Sequence, residues 1–346
     1  MRKRAAVVIM VIGLALGLAA GQALAQSTVI GLDYGPYRLP GQAPGSDIPD
    51  AQFIADLQQM AKQYGYIKTY GSDPVLAKIV PLIQANNINL KVAVGIYESN
   101  ADRSGTAAQI NTAINLAKTY PGIVNMVVVG NECIAGELPS TSSPVSLDTL
   151  KVDLNTVKTA LPSATVTTCL TYQAGLDLAP GHALNSLLGS VDNVMVNVYP
   201  FYGGVAIDGA LQNLVNAFGL FNSYGKPVLV GETGWPSAGN PTGAAIPSVP
   251  NEQKFTSDVL GADLPYAGVY LFEAFDEPWK GDEPGGIGPH WGLWNSDGSA
   301  KFSVGAPPTN SSVPVPGSLF LLGSGLLGIL GGRSGFKGFM ARMRPE

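Results

Sequence analysis

Two short apolar runs in this chain end in the same way. VVVGNE, residues 127–132, stops at Glu132, and VLVGETGWPS, residues 228–237, breaks at Glu232. Each is a β-branched stretch that closes on a glycine and then an acid, the pattern by which a buried parallel strand delivers a carboxylate to the rim of its sheet. Two such strands in one sheet aim two carboxylates at one cleft. Paired carboxylates at fixed separation are the equipment of glycosidases, where one protonates the leaving oxygen and the other attacks carbon or activates water. A gap of about 5 to 5.5 Å gives retention of configuration, and about 6.5 Å or more gives inversion. Either glutamate alone also fits a solvated loop charge, so the reading rests on the pair and its setting.

The elements that must position the pair follow from hydrophobic patterning. Eight short apolar segments recur at even spacing, near residues 28–34, 66–70, 90–97, 123–132, 164–172, 193–202, 227–237 and 267–277. Stretches with helical patterning lie between them, such as residues 51–65, 106–120 and 147–161. Strands alternating with helices imply an α/β fold with a parallel sheet and right-handed crossovers. Eight units in about 280 residues fit a closed (β/α)8 TIM barrel better than an open doubly wound sheet. No GxGxxG turn follows a strand, which argues against dinucleotide binding, and no nucleophile elbow is present. Sites in such a barrel lie at the C-terminal ends of the strands. Glu132 then ends strand 4 and Glu232 ends strand 7, while Asp33, Tyr70, Tyr97, Tyr199, Glu273 and Glu277 fall at or just past other strand ends. A rim that collects acids and aromatic rings suits a sugar, which offers apolar faces and hydroxyls together.

Composition narrows the partners. The net charge is −5 and only 13% of residues are charged, with no Lys/Arg cluster in the middle of the chain, which speaks against nucleic acid. A neutral polysaccharide needs hydrogen bonds and aromatic platforms, and the chain has 13 Tyr and 4 Trp. Cys133 and Cys169 are the two cysteines, free to form one disulfide after export or to pack as two thiols. With no CxxC or HExxH and only His182 and His290 as histidines, neither a metal site nor a cofactor is expected.

At this point the motifs resemble a known family. VVVGNE, NVYPFY, VGETGWPS and FEAFDEPWK stand in the order and strand positions of glycoside hydrolase family 17, the β-1,3-glucanase-like enzymes, and GLDYGPY is similar to that family's strand 1 signature. The resemblance covers roughly residues 28–303. It implies Glu132 as acid/base and Glu232 as nucleophile of a retaining double displacement on β-1,3-linked glucan. It also implies that Asn131 bonds the sugar 2-hydroxyl, that Tyr199 touches the nucleophile or the sugar beside it, and that Glu277 and Lys280 form a pair near the acid. Tyr34 and Tyr70 join them as substrate-binding candidates. Trp235 is either a stacking platform or a ring holding the strand 7 loop, and the alternative for Glu277 and Lys280 is an exposed ion pair of little energetic worth. The sequence departs from the family in YIKTY, where Lys68 replaces an arginine. A lysine supplies charge but no bidentate fork.

The ends read separately. Residues 1–25 begin with Arg2, Lys3 and Arg4, continue through an apolar run and close with Ala23, Leu24 and Ala25, as a secretory signal peptide does, with an uncleaved anchor helix as the alternative. The glycosidase domain is expected over residues 26–305, a Pro/Ser-rich linker over 306–316, and an apolar sorting or anchor segment with a basic end over 317–346. This tail resembles the PEP-CTERM sorting signals of Gram-negative bacteria, with Val315 where Glu is usual; the alternative is a docked C-terminal helix. The resemblance implies an exported envelope protein whose tail meets a membrane-bound processing enzyme. Hydrolysis and transglycosylation share one covalent intermediate and stay open, and a non-catalytic surface polysaccharide-binding protein is the reading from another class.

Overall fold

The computed structural model describes residues 29–137, 143–262 and 266–303. The expected signal peptide, linker and sorting segment lie outside them. Each apolar run forms a strand, since β-branched side chains fill both faces of a sheet that is covered on both sides. The strands are β1 (Val29–Asp33), β2 (Tyr66–Lys68), β3 (Lys91–Ile96), β4 (Val124–Asn131), β5 (Val166–Thr171), β6 (Val194–Asn197), β7 (Val228–Thr233) and β8 (Gly268–Leu271). Neighbours pair in parallel, and β8 returns to β1 from Val29↔Gly268 to Leu32↔Leu271, which closes the barrel.

The crossovers are α1 (Asp50–Met60), α2 (Ile79–Ala85), α3 (Arg103–Thr119), α4 (Leu147–Ala160), α5 (Tyr172–Leu176), α6 (Ile207–Phe221) and α7 (Val249–Gly261). Three of the long ones begin at side-chain caps, with Asp102, Ser146 and Ser248 accepting from the N–H of Gly105, Thr149 and Asn251. The first helix stops at Met60, short of the expected residue 65, because the chain turns there and drops Tyr64 into the core, edge-on to Trp294 at 6.3 Å.

The two-residue period of the strands divides the apolar side chains between two cores. Met126 and Val128 of β4 join Ala93, Cys169, Met195, Leu229 and Tyr270 in a cluster inside the barrel. Val127 and Val129 face outward and pack with the helices. Burying each of these aliphatic side chains contributes about 1.5–3 kcal/mol, so the alternation fixes the register of every strand.

A buried cation fastens the last part of the barrel. Lys301 Nζ lies 2.8 Å from Asp276 and 3.4 Å from Glu252 and donates to the Ser237 hydroxyl at 2.7 Å, joining the loops after β7 and β8 to α7. Glu252 is fully buried. Burial raises the Glu252 pKa to about 9, so at pH 7 removing the ammonium leaves chiefly the Asp276 carboxylate without its cation. Lys301→Met is expected to lower unfolding stability by about 3 kcal/mol in a urea titration at pH 7, and an unchanged midpoint would refute that role.

Candidate active site

Strict alternation would point Glu232 out of the barrel. Leu229 faces inward, so residues 231 and 233 would follow it and 232 would not. β7 carries an extra residue at this point. Val196 pairs with Val230 but Asn197 with Glu232, and on the other side Val230 pairs with Val269 but Thr233 with Leu271. The bulge at Gly231 turns Glu232 onto the inward face that Asn197 already occupies. β4 also carries an extra residue, since Val128 pairs with Thr167 and Asn131 with Cys169, and this brings Asn131 onto the inward face just before Glu132. Past that bulge Gly130 has φ 77° and Glu132 φ 49°. A left-handed glutamate is strained, and such strain persists where surrounding contacts fix it, here including the Glu132 N–H donating to the Cys169 carbonyl at 2.9 Å.

The two carboxylates have different surroundings. Glu232 accepts from the Tyr199 hydroxyl at 2.8 Å through Oε2 and faces Lys68 Nζ at 3.5 Å through Oε1. Lys68 is held from behind by Asp33 at 2.8 Å, and both side chains are buried. Burial works against the Lys68 charge, but the fields of Asp33 and Glu232 outweigh it and raise its pKa, so the ammonium persists. The Tyr70 ring covers it at 4.2 Å, with the Tyr70 hydroxyl buried and making no hydrogen bond. Burial also lifts the Tyr199 phenol, which therefore keeps its proton for Glu232. At Glu132 the lowering field of Lys68 is outweighed. Asn197 Nδ2 donates to its Oε1 at 2.7 Å, yet burial and then the Glu232 charge push its pKa up to about 8. One carboxyl is thus set to hold a proton at neutral pH while the other sits among donors, the split that acid and nucleophile need.

The remaining candidates divide. Asn131 lies beside the acid, its Oδ1 3.4 Å from Asn197 Nδ2. Glu277 and Lys280 are buried rather than an exposed pair. Lys280 Nζ lies 2.8 Å from Glu277 and 2.5 Å from Glu273, over the Phe272 ring. Two corrections follow. Tyr34, expected at the cleft, is in the core with its hydroxyl on Asp56 at 3.0 Å, because the chain turns outward after β1 toward α1. Trp235 is no platform. It is buried against Phe201, and its Nε1 donates to the Ile246 carbonyl at 2.9 Å, which makes it the ring that holds the loop after β7. Cys133 and Cys169 are both buried free thiols.

Two residues escaped the sequence reading. Asn197 sits two positions before Tyr199, on the same inward face, within the NVYPFY motif already quoted. Tyr202 closes that motif, 51% exposed and packed on Tyr199 and Trp291 at ring distances of 5.3 and 5.6 Å. Burial first, and then the charges of Glu283, Glu232 and Glu132, raise the pKa of its hydroxyl. Its exposure was the missing signal.

A closed parallel barrel with two glutamates at the C-terminal ends of strands 4 and 7 defines a class of glycoside hydrolase folds. The chain belongs to the BtgE/BtgC glycoside hydrolase domain family, whose model matches residues 31–292. It is 28% identical over 279 residues to a probable beta-glucosidase btgE of Aspergillus fumigatus, covering 79% of this chain and 46% of that protein. A probable family 17 glucosidase of Saccharomyces cerevisiae is 27% identical over 77% of this chain and 65% of its own length. The chain thus spans about half to two thirds of the length of these relatives. In fold it is similar to an endo-laminarinase from Formosa, with TM-score 0.68 at 23% identity over 79% of this chain and 84% of that one. A β-1,3-glucanosyltransferase of Rhizomucor miehei gives 0.62 at 22% identity, over 81% and 98%.

Two measurements test the site. For an acid/base role of Glu132, whose pKa is raised to about 8, kcat/KM on a soluble β-glucan is expected to fall as pH rises through about 8; a fall beginning near pH 5 would contradict that role. Tyr202→Ala is expected to raise KM about fivefold, the loss of about 1 kcal/mol of ring contact, with kcat little changed.

Proposed function

We propose that this protein is an exported retaining β-glycosidase acting on β-1,3-linked glucan, with Glu132 as acid/base and Glu232 as nucleophile. The observation that carries the reading is the opposite electrostatic setting of the two carboxyls. Glu232 is served by Lys68 and Tyr199, and Glu132 is raised by burial and by Glu232.

In the first step Glu232 attacks the anomeric carbon while Glu132 gives its proton to the leaving oxygen. Forming the ester removes the negative charge from Glu232. The repulsion that held the proton on Glu132 then falls, so Glu132 can accept one from water in the second step. Asn131 is suited to bond the 2-hydroxyl of the sugar under attack, a contact that strengthens in the transition state. Lys280 and Tyr202 give the sugar a charged donor and an apolar platform at the rim. The β-1,3-glucan preference is supported by the family motifs and by the likeness in fold to an endo-laminarinase and a β-1,3-glucanosyltransferase. Export is supported by the leader-like N-terminal segment and by a relative described as a cell surface mannoprotein of Candida albicans, 25% identical over 77% of this chain.

The test is incubation with a soluble β-1,3-glucan and separation of products by size. Shorter chains are expected, with the β-anomer released first. Glu232→Ala should abolish them and Glu132→Ala should slow their formation about 10²- to 10⁴-fold. Products longer than the donor would move the activity to transglycosylation by the same residues. Unaltered glucan across a panel of β-linkages would overturn the catalytic reading in favour of a surface polysaccharide-binding protein.

A further inference from the structure

Glu132 is held by a side chain that neither glutamate motif contains. Asn197 ends β6 with its amide bonded on both sides, its Nδ2 also lying 3.4 Å from Asn131 Oδ1. Its Nδ2 donates to Glu132 Oε1 at 2.7 Å, and its Oδ1 accepts from Cys169 Sγ at 2.8 Å. Asn197 is 2% exposed and Cys169 fully buried. The bulge glycine of β7 leaves the space in which they meet. A Cβ on Gly231 would lie 2.1 Å from Cys169 Sγ and 2.7 Å from Asn197 Oδ1.

The chemistry of these groups fixes the direction of the amide. An amide has an acceptor on one side and a donor on the other, whereas a thiol donates and its sulfur accepts poorly. Burial raises the pKa of Cys169, so the thiol keeps its hydrogen. The amide oxygen is therefore turned to Cys169 and the NH₂ group to Glu132. A donor aimed at a carboxyl favours its ionised form.

We infer that Asn197 is a positioning residue for Glu132, keyed in orientation by the Cys169 thiol, and that it stabilises the carboxylate needed when water is activated in the second half-reaction. The inference rests on the acid/base reading of Glu132. In that half-reaction the water oxygen bonds to the anomeric carbon, the ester bond to Glu232 breaks with its electron pair returning to Glu232, and the water proton passes to Glu132. Without the amide, Glu132 would hold its proton too firmly to serve as base. Other groups act on the same carboxyl from their own elements. Glu232 of β7 and Glu137 of the loop after β4 raise it, Lys68 of β2 lowers it, and the Cys169 thiol of β5 and the Tyr202 phenol after β6 face it.

The experiment is a carbon-13 NMR titration of glutamate side-chain carboxyls in the full chain, with Glu132→Gln assigning the resonance. Asn197→Leu is expected to raise the Glu132 midpoint by about one unit. Cys169→Ser, which keeps a donor, should leave it in place, and Cys169→Ala, which frees the amide to turn, should raise it by less than Asn197→Leu does. An unmoved or lowered midpoint in Asn197→Leu overturns the inference. If that variant does not fold, equal midpoints in the two Cys169 variants do so. On a 2,4-dinitrophenyl β-laminaribioside, whose leaving group needs no acid, Asn197→Leu should lower kcat about tenfold and spare kcat/KM. Azide should rescue Glu132→Ala on this substrate as a β-glycosyl azide. Absence of the azide product, with the titration shift intact, would refute the acid/base reading and leave the Asn197 contact standing.

Discussion

A lysine ammonium on the inner face of a barrel persists only if anions are built around it. Lys68 meets that condition through Asp33 on one side and Glu232 on the other, with the Tyr70 ring as cover. The three charges come from β2, β1 and β7, so the closure of the sheet brings them together and they in turn penalise any slip of those strands. The arrangement suits a lysine at this position. A guanidinium orients itself with two parallel donors, whereas an ammonium is a point charge that needs a second anchor. Asp33, one strand away, is that anchor.

Glu132 and Glu232 are the same residue type, and their settings are separated by what lies within hydrogen-bond reach. Glu232 sits between a phenol and an ammonium, while Glu132 faces an amide in a buried setting with a neighbouring negative charge. Glu232 reaches the cleft because a bulge at Gly231 breaks the alternation of its strand, and the bulge at Gly130 brings Asn131 inward beside Glu132. The glycines that close the two apolar runs are therefore part of the aiming device. A side chain at either would collide with Cys133 or Cys169.

The strand sequence was legible because burial on both faces writes a long β-branched run, which little else in a chain of this kind imitates. The glutamates were legible for the same reason, as charges that interrupt such runs. Tyr34 and Trp235 were misplaced because a ring at a strand end looks the same in sequence whether the chain then turns toward the cleft or toward a helix. The turn after β1 sends Tyr34 to Asp56, and the loop after β7 folds back so that Trp235 meets Ile246. Asn197 was hidden differently. Its partners lie 65 and 28 residues away on β4 and β5, and only the register of a closed sheet brings them together. The buried state of Glu277 and Lys280 likewise depends on Glu273, whose carboxylate completes a charge cluster that adjacent residues alone do not imply.

Lys301 seals the barrel close to the last of the described residues. Its ammonium is seated on Asp276, Glu252, Ser237 and the His290 carbonyl, and Gln253 reaches the Ser303 carbonyl at 3.3 Å. The barrel is thus latched from within its own residues. The bonds of this latch are all made by residues up to Ser303, so a cut past that point would leave each of them, and the cleft they brace, intact.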